Sequence, residues 1–126
     1  MNNDRTPTRV DDVFVQLSHP RRRALILLVA AAGGRGVELR TAAITIYALE
    51  HSIRPTNAET RAITNLRTNL KRSHIPQLIA AGLLAHKDER LTAGPAFGVS
   101  LDVLLSAGYW LGTAHQQAPG GEYKPK

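Results

Sequence analysis

Apolar residues recur at helical spacing through the first half of the chain. The first group predicts a short helix that ends near Ser18 and buries Val10, Val13, Phe14 and Leu17. A second helix is expected between Pro20 and Gly33, because proline fits the first turn of a helix and glycine accepts the left-handed conformation that often ends one. Its predicted buried face consists of Ala24, Leu25, Leu28, Val29 and Ala32.

Two more helices follow a short link, residues 35–38, which has room for a one-bridge strand. The third helix is predicted to run to about His51, with apolar positions at Leu39, Ala42, Ala43, Ile46, Leu49 and Ile53. The fourth is expected to start with Asn57 as its N-cap, because Pro55 disfavours a helical conformation in the residue before it. Its buried stripe is formed by Ile63, Leu66 and Leu70.

The apolar pattern of the fourth helix changes phase after Ser73, where the leading positions become Ile75, Leu78 and Ile79. Inside a helix, Pro76 lacks one backbone hydrogen bond, and its ring clashes with the carbonyl one turn earlier. The sequence therefore predicts a kink or a brief break between Ser73 and Pro76. The helix is then expected to continue to Ala81 and to stop at Gly82.

Two short segments, residues 83–86 and 89–92, flank Lys87-Asp88 and predict a β-hairpin that Gly94-Pro95 closes. A last amphipathic helix follows, with apolar positions Val99, Val103, Ala107, Trp110, Leu111 and Ala114. This is the element order of a winged helix-turn-helix, so we expect a mainly α fold with a small β-wing and a C-terminal helix. The predicted divisions are a disordered N-terminus at 1–7, a winged helix-turn-helix domain at 8–95, a C-terminal helix at 96–115 and a disordered tail at 116–126.

The charge distribution is most uneven between Glu59 and Asp88, an interval without any acidic residue. It holds five lysines and arginines: Arg61, Arg67, Lys71, Arg72 and Lys87. The chain as a whole has 126 residues and a formal net charge of +6. Cationic surfaces bind nucleic acids by releasing the counterions of the phosphates, and they also bind anionic membranes.

The outer face of the fourth helix has the side chains of a base-reading surface. Arginine can grip guanine, asparagine can grip adenine, and threonine can contact a thymine methyl group. Four residues at positions i, i+4, i+7 and i+11 form the predicted base-reading set: Arg61, Asn65, Thr68 and Arg72. Three neighbours flank them: Thr64, Asn69 and Lys71. The alternative is an ordinary charged, solvated helix face.

Phosphate contacts are predicted at two other places. Arg21, Arg22 and Arg23 lie in the first turn of a helix, where cations oppose the helix dipole and a docked phosphate would explain them. The alternative is that their stems pack on the core or that they are solvated. In the hairpin, Lys87 and Arg90 are expected to reach the DNA backbone. The alternative there is a solvated turn.

Small residues on the last helix suggest close packing between two copies of it. Gly108 and Gly112 are four residues apart, and we expect a homodimer interface formed by Leu104, Gly108, Trp110, Leu111 and Gly112. The alternative is that this helix folds back on its own domain. His74, near the change of phase, is expected either to face DNA or to be a half-buried histidine with satisfied hydrogen bonds.

Several functional classes lack support in the sequence. The chain has no cysteine, and its five histidines have no partner at metal-ligand spacing, so neither a disulfide scaffold nor a metal site is expected. No nucleotide-binding loop, nucleophile elbow or HExxH motif occurs, so we expect no cofactor and no enzymatic activity. The N-terminus lacks a secretory signal, and the apolar stretch at 97–114 contains Asp102, so a soluble, cytoplasmic protein is expected.

Two motifs give the chain a family resemblance. Leu17-Ser18-His19-Pro20-Arg21-Arg22-Arg23, followed by Ala24-Leu25, resembles the second-helix opening of ArsR-like winged-helix regulators. Together with His74-Ile75-Pro76-Gln77-Leu78 and Ala81-Gly82-Leu83-Leu84, it is more similar to small winged-helix domains of halophilic archaea and their viruses. The resemblance covers residues 10–92 and implies a winged-helix fold and transcriptional regulation. The metal-sensing cysteines of ArsR proteins are absent, and haloarchaeal proteins are typically acidic, whereas this chain is basic.

The sequence therefore predicts a dimeric, sequence-specific transcriptional regulator that binds double-stranded DNA. We expect it in the cytoplasm, associated with the nucleoid. The cell would be archaeal or, for a viral protein, the host of an archaeal virus. Two alternatives stay open. A winged-helix fold can serve as a protein-interaction module, since fold does not fix function. A basic domain can also coat nucleic acid without reading its sequence.

Overall fold

The computed structural model describes residues 10–116, and it describes side chains as far as residue 107. The helices in this part are α1 (Val10–Gln16), α2 (Pro20–Ala32), α3 (Leu39–His51), α4 (Thr60–Asn69), α5 (Ile75–Ala80) and α6 (Phe97–Gln116). The strands are β1 (Val37–Glu38), β2 (Leu84–Lys87) and β3 (Arg90–Ala93). The predicted fold class is confirmed: the chain is mainly α, with a small β-wing and a C-terminal helix. The termini predicted to be disordered lie outside the described residues, except Gln116, which ends α6.

The three strands form one antiparallel sheet in the order β1-β3-β2. Val37 lies opposite Leu91, so the link predicted to hold a one-bridge strand adds a two-residue strand to the hairpin. Lys87 pairs with Arg90, and the turn between them consists of Asp88 and Glu89. The predicted tip, Lys87-Asp88, was therefore wrong by one residue, because the ladder of β2 extends through Lys87.

The turn into α4 differs from the prediction. Residues Pro55–Asn57 form a short 3₁₀ turn, which the Ala58 N–H closes onto the carbonyl of Pro55. Glu59 is extended and precedes the first residue of α4, Thr60. Asn57 is consequently not the N-cap, because the 3₁₀ turn takes up the three residues that follow Arg54.

A π-helical turn, Leu70–His74, joins α4 directly to α5. A π-helix has i→i+5 hydrogen bonds, so it accommodates one extra residue per turn and rotates the positions that follow. This accounts for the change of apolar phase, since Leu70, Ile75 and Leu78 are all buried. The helix is continuous through Ser73–Pro76, so the predicted break is absent. The irregularity is a widened π-helical turn, and Pro76 lies in the first turn of α5. The helix ends at Ala80, one residue earlier than predicted, and Gly82 follows with φ 79°.

The core is aliphatic and draws on every helix and strand before α6; its fully buried larger side chains include Val13, Leu25, Ile26, Leu39, Ile46, Ile63, Leu70, Leu78, Leu83 and Leu91. The first half of α6 packs on α1 and α2. Six predicted apolar positions are exposed instead: Val10, Phe14, Leu49, Ile79, Val99 and Ala107. Helical spacing assigned them to an apolar face, but spacing does not show how much of that face the rest of the fold covers.

Candidate nucleic-acid interface

The outer face of α4 and the π-helical turn carries the predicted base-reading set. Arg61, Asn65, Thr68 and Arg72 are all exposed, on the side opposite the buried residues of the same helix. Thr64 and Lys71 are exposed beside them, whereas Asn69 is half-buried. Arg72 belongs to the π-helical turn, so its direction relative to Thr68 differs from that of an ideal α-helix. The face offers guanidinium, amide and hydroxyl groups to a ligand.

Two arginines of this face have no ion pair with the described side chains. Within residues 10–107, no acidic side chain lies within ion-pair distance of Arg61 or Arg72. Arg67 and Lys71 differ, because both contact Glu89 at the tip of the wing. Arg67 is half-buried and was not among the predicted contacts. Its position beside Leu66 and one turn after Ile63 makes it the boundary between the apolar and polar faces, which is the only sequence signal that marks it.

The Glu89 carboxylate joins the wing to α4. One oxygen, Oε1, accepts a hydrogen bond from Arg67 Nη2, and the other, Oε2, lies 3.0 Å from Lys71 Nζ. The backbone carbonyl of Glu89 accepts a hydrogen bond of 2.8 Å from the N–H of Leu39, at the start of α3. The Arg67 hydrogen bond, followed by that of Lys71, lowers the pKa of Glu89 to about 2. The carboxylate is therefore ionised at any physiological pH.

Arg21 forms a three-point contact within the protein. Its Nε and Nη2 atoms donate to the two carboxylate oxygens of Glu50, at 2.7 and 2.9 Å, and Nη1 donates to Asn69 Oδ1 at 2.8 Å. The hydrogen bond with Arg21 lowers the pKa of Glu50, and it raises the pKa of Arg21 in turn. These contacts tie the first turn of α2 to the last turn of α3 and to α4.

Arg22 and Arg23 also have acceptors within the protein. Arg22 donates from Nε to Nδ1 of His74 at 3.1 Å and from Nη1 to Oε1 of Gln16 at 2.8 Å. Arg23 Nη1 donates to the carbonyl oxygen of Leu17 at 2.8 Å. Each of the three arginines at the start of α2 therefore has at least one acceptor within the protein, and Arg21 has an anionic one. The phosphate contact of Arg21, Arg22, Arg23 and Asn69 stays a prediction, and a phosphate would have to share or displace these acceptors.

His74 is buried at the end of the π-helical turn, with 5% of its surface exposed. Its ring meets that of His19 edge-on, with the centroids 4.5 Å apart. Burial is the main cause that lowers the pKa of His74 to about 4, and the neighbouring charges of His19, Arg22 and Arg21 add to it. In the structure His74 is buried, so its position fits a histidine with satisfied hydrogen bonds better than a contact with DNA. It borders an open cavity of about 430 Å³ between α2, α3 and the π-helical turn.

The two predicted wing contacts have different surroundings. Lys87 is exposed, and in the part of the chain with described side chains it has no ion pair. Arg90 donates from Nη1 to the carbonyl oxygens of Arg35 at 3.1 Å and Gly36 at 3.3 Å. It therefore closes the turn before β1. Lys87 is the freer cation of the two for a phosphate.

The predicted dimer surface is only partly described. Leu104 is half-buried and packs against the core of its own domain, as the alternative of a folded-back helix predicts for this residue. The backbone of α6 continues through Gly108, Trp110, Leu111 and Gly112, but their side chains lie outside the described residues. Nearby, Leu105 is 60% exposed on α6, and Val10 and Phe14 are exposed on α1.

The described residues form neither a metal site nor a membrane span. No group of three or more histidines, carboxylates or cysteines comes close enough to hold a metal ion there. None of the helices in that part of the chain is long and apolar enough to cross a membrane.

Comparison with known proteins gives a family but no activity. Neither a curated protein nor a solved structure matches the chain. A family model described as "Domain of unknown function (DUF7344)" matches residues 14–93. The match begins within α1, includes the π-helical turn and the arginines at the start of α2, and ends at the last residue of β3. The chain belongs to the DUF7344 family.

Proposed function

We propose that this protein is a sequence-specific DNA-binding transcriptional regulator with the outer face of α4 in the major groove. The exposed, acid-free polar face that runs from Arg61 to Arg72 carries this proposal. A face that served only for solubility would mix charges of both signs, and a major groove admits one α-helix. Arg61 and Arg72, which have no acidic partner within residues 10–107, are the strongest candidates for contacts with guanine.

The other polar residues of this face favour sequence reading over simple coating. Asn65 can bond adenine through two atoms, and Thr68 can contact a thymine methyl group. A protein that only neutralised phosphates would need no such groups. On this proposal Lys87 binds the DNA backbone from the wing. The arginines at the start of α2 hold α2 against its neighbouring elements through their contacts within the protein.

We also propose that the protein acts as a homodimer in the cytoplasm, associated with the nucleoid of its cell or, for a viral protein, of the host. Two copies would present two recognition helices to two half-sites, which raises both affinity and specificity. The exposed apolar side chains Val10, Phe14 and Leu105 on α1 and α6 support an interface there, continuing along the glycines of α6. Light scattering of the purified protein tests the dimer, and a monomer at micromolar concentration would contradict it.

Fluorescence anisotropy with duplex DNA at several salt concentrations tests the main proposal. One duplex has a random sequence, and the other comes from upstream of the protein's own gene. We expect tight, salt-sensitive binding with a preference for the upstream duplex. Equal affinity for both would indicate a coating protein. No binding to either at low salt would refute DNA binding and leave a protein-interaction module with an acidic partner.

A further inference from the structure

Arg67 and Lys71 form a cationic pair at the edge of the α4 face. They are four residues apart, so their side chains are neighbours on the helix surface and repel each other unless an anion lies between them. Their side chains are 39% and 43% exposed, respectively, so the pair is accessible from solvent. It adjoins Thr68 and Arg72 of the predicted base-reading set.

The anion in this structure is the carboxylate of Glu89, and it satisfies the pair incompletely. Each carboxylate oxygen contacts one cation, so neither cation receives a two-point contact. The Nε atom of Arg67 is buried and has no hydrogen-bond acceptor. A guanidinium normally binds carboxylate or phosphate through two parallel hydrogen bonds. Arg67 and Lys71 together can therefore bind an oxyanion, but the Glu89 carboxylate leaves the Arg67 Nε donor without an acceptor.

The backbone of Glu89 has a conformation that a long side chain rarely adopts. Asp88 and Glu89 both have positive φ, at 54° and 63°, in a two-residue hairpin turn where glycine and asparagine are preferred. A bulky side chain in this region is unfavourable and needs a compensating interaction. Glu89 has one, with Arg67 and Lys71. Asp88 has no ion pair among the described side chains.

We propose that Arg67 and Lys71 form a binding site for a backbone phosphate of DNA, and that Glu89 occupies this site until the phosphate replaces it. This inference rests on the proposed function. The hydrogen bond between the Glu89 carbonyl and Leu39 holds the wing tip between the start of α3 and α4, beside the face given to the major groove. DNA that docks on this face brings its phosphates to the same edge. When both unesterified oxygens of a phosphate face Arg67, the guanidinium can donate two parallel hydrogen bonds, one of them from Nε.

Glu89 therefore weakens binding to all DNA, because Arg67 and Lys71 must exchange one anion for another. In the wild type, the displaced Glu89 carboxylate takes up a cation from solution, which offsets about one of the counterions that the DNA releases. Glu89→Gln lacks this carboxylate, so its dependence of log K on log salt should be steeper by about 0.9, which amounts to about eightfold tighter binding for each tenfold drop in salt. We expect Glu89→Gln to tighten binding at about 0.1 M salt by at least this factor, on random and upstream duplexes alike.

Asp88→Asn provides the matched control. It removes the same charge from the same turn but breaks no ion pair, so it should change affinity much less than Glu89→Gln. The salt slope should steepen by about one unit in Glu89→Gln only. Equal gains in the two variants would mean that net charge alone is responsible, and they would overturn the inference. A loss of affinity in Glu89→Gln would also overturn it.

Arg67→Gln separates a phosphate site from a mere anchor of the wing. If Arg67 binds phosphate, this variant binds every duplex more weakly, flattens the salt slope by about one unit and reduces the gain from Glu89→Gln when the two are combined. A folded Arg67→Gln protein with unchanged affinity and slope would refute the site. Urea unfolding of each variant establishes that it is folded. If no variant and no wild-type protein binds DNA, the proposed function fails as well; if the wild type binds and Glu89→Gln gains nothing, only this inference fails.

Discussion

Arg22 and His74, 52 residues apart, are joined by a hydrogen bond of 3.1 Å from the arginine Nε to the histidine Nδ1. The bond requires Nδ1 to be unprotonated, so the neutral ring carries its proton on Nε2. His19, Arg22 and Arg21 surround the ring with positive charge, and only Glu50 opposes them. The start of α2 is thus connected to the end of the π-helical turn through a histidine that must stay neutral.

The protein should lose stability in mild acid because of His74. Its pKa is about 4 in the folded protein and 6.5 in an ordinary setting, so the unfolded chain takes up the proton first. The contribution is complete above pH 6.5, falls as the pH drops toward 4, and amounts to roughly 3 kcal/mol in total. Urea unfolding between pH 7 and pH 4 measures this loss. In His74→Gln, which keeps a hydrogen-bond acceptor, it should be largely absent; an unchanged pH dependence in that variant would exclude His74 as the cause.

The geometry of the Arg21 contacts predicts that charge alone does not replace this arginine. Lysine lacks the planar fork that contacts Glu50 and Asn69 together. We expect Arg21→Lys to be nearly as destabilising as Arg21→Ala, with a loss of about 1–3 kcal/mol in the free energy of unfolding. Arg54→Ala, at an exposed arginine with no such contacts, is the control and should cost less than about 0.5 kcal/mol. A stable Arg21→Lys protein, with DNA binding lost in Arg21→Ala, would instead support a phosphate contact.

The order of elements could be predicted because each leaves a local signal. Helical spacing marked α2 and α3, Gly33 marked the end of α2, and the residues around Lys87 and Asp88 marked the hairpin. The predicted position of the hairpin turn is wrong by one residue. The turn consists of Asp88 and Glu89, which both have positive φ, a conformation that is uncommon for residues with long side chains. No local pattern could show that this conformation is held by side chains on α4.

The partners of charged residues could not be predicted, since they depend on which elements meet. Arg21 and Glu50 are 29 residues apart, and nothing in either segment indicates that one side chain satisfies the other. For the same reason Phe14 was placed in the core: spacing assigns it to an apolar face, but only the packing of α1 against α6 decides how much of that face is covered. The exposed face of α4 was predictable because its buried residues fix which side points outward.

Arg72→Ala should weaken specific DNA binding by about 1–3 kcal/mol and relax the sequence preference at one base position. The reason is that a guanidinium bonded to a base contributes to one sequence only. Anisotropy with the preferred duplex and with duplexes that differ by single base pairs measures the effect. Arg54→Ala removes the same charge from the turn before α4, outside the predicted base-reading set, and serves as the control. An equal loss on every duplex would make Arg72 a phosphate contact rather than a base contact.

Lys87→Ala should weaken binding to every duplex to the same extent and flatten the salt slope by about one unit. Lys87 is an exposed cation, so it can release one counterion without breaking contacts inside the protein. Arg90→Ala should act differently, because the Arg90 side chain bonds the carbonyls of Arg35 and Gly36. We expect its main effect on the urea midpoint. A change in sequence preference in Lys87→Ala would contradict the assignment of Lys87 to the backbone.

Gly36→Ala should destabilise the protein because the chain passes very close to β3 at this glycine. A β-carbon there would press against the carbonyl oxygen of Leu91 and lie 2.6 Å from Cγ2 of Thr92. The residue also has φ 72°, which costs about 1–2 kcal/mol for a residue with a side chain, and overpacking adds about 1–3 kcal/mol. Gly34→Ala is the matched control, since its β-carbon would meet nothing within 4 Å, and it should be neutral or slightly stabilising. Thermal unfolding compares the two variants, and equal midpoints would mean that β1 does not approach β3 as closely as the structure shows.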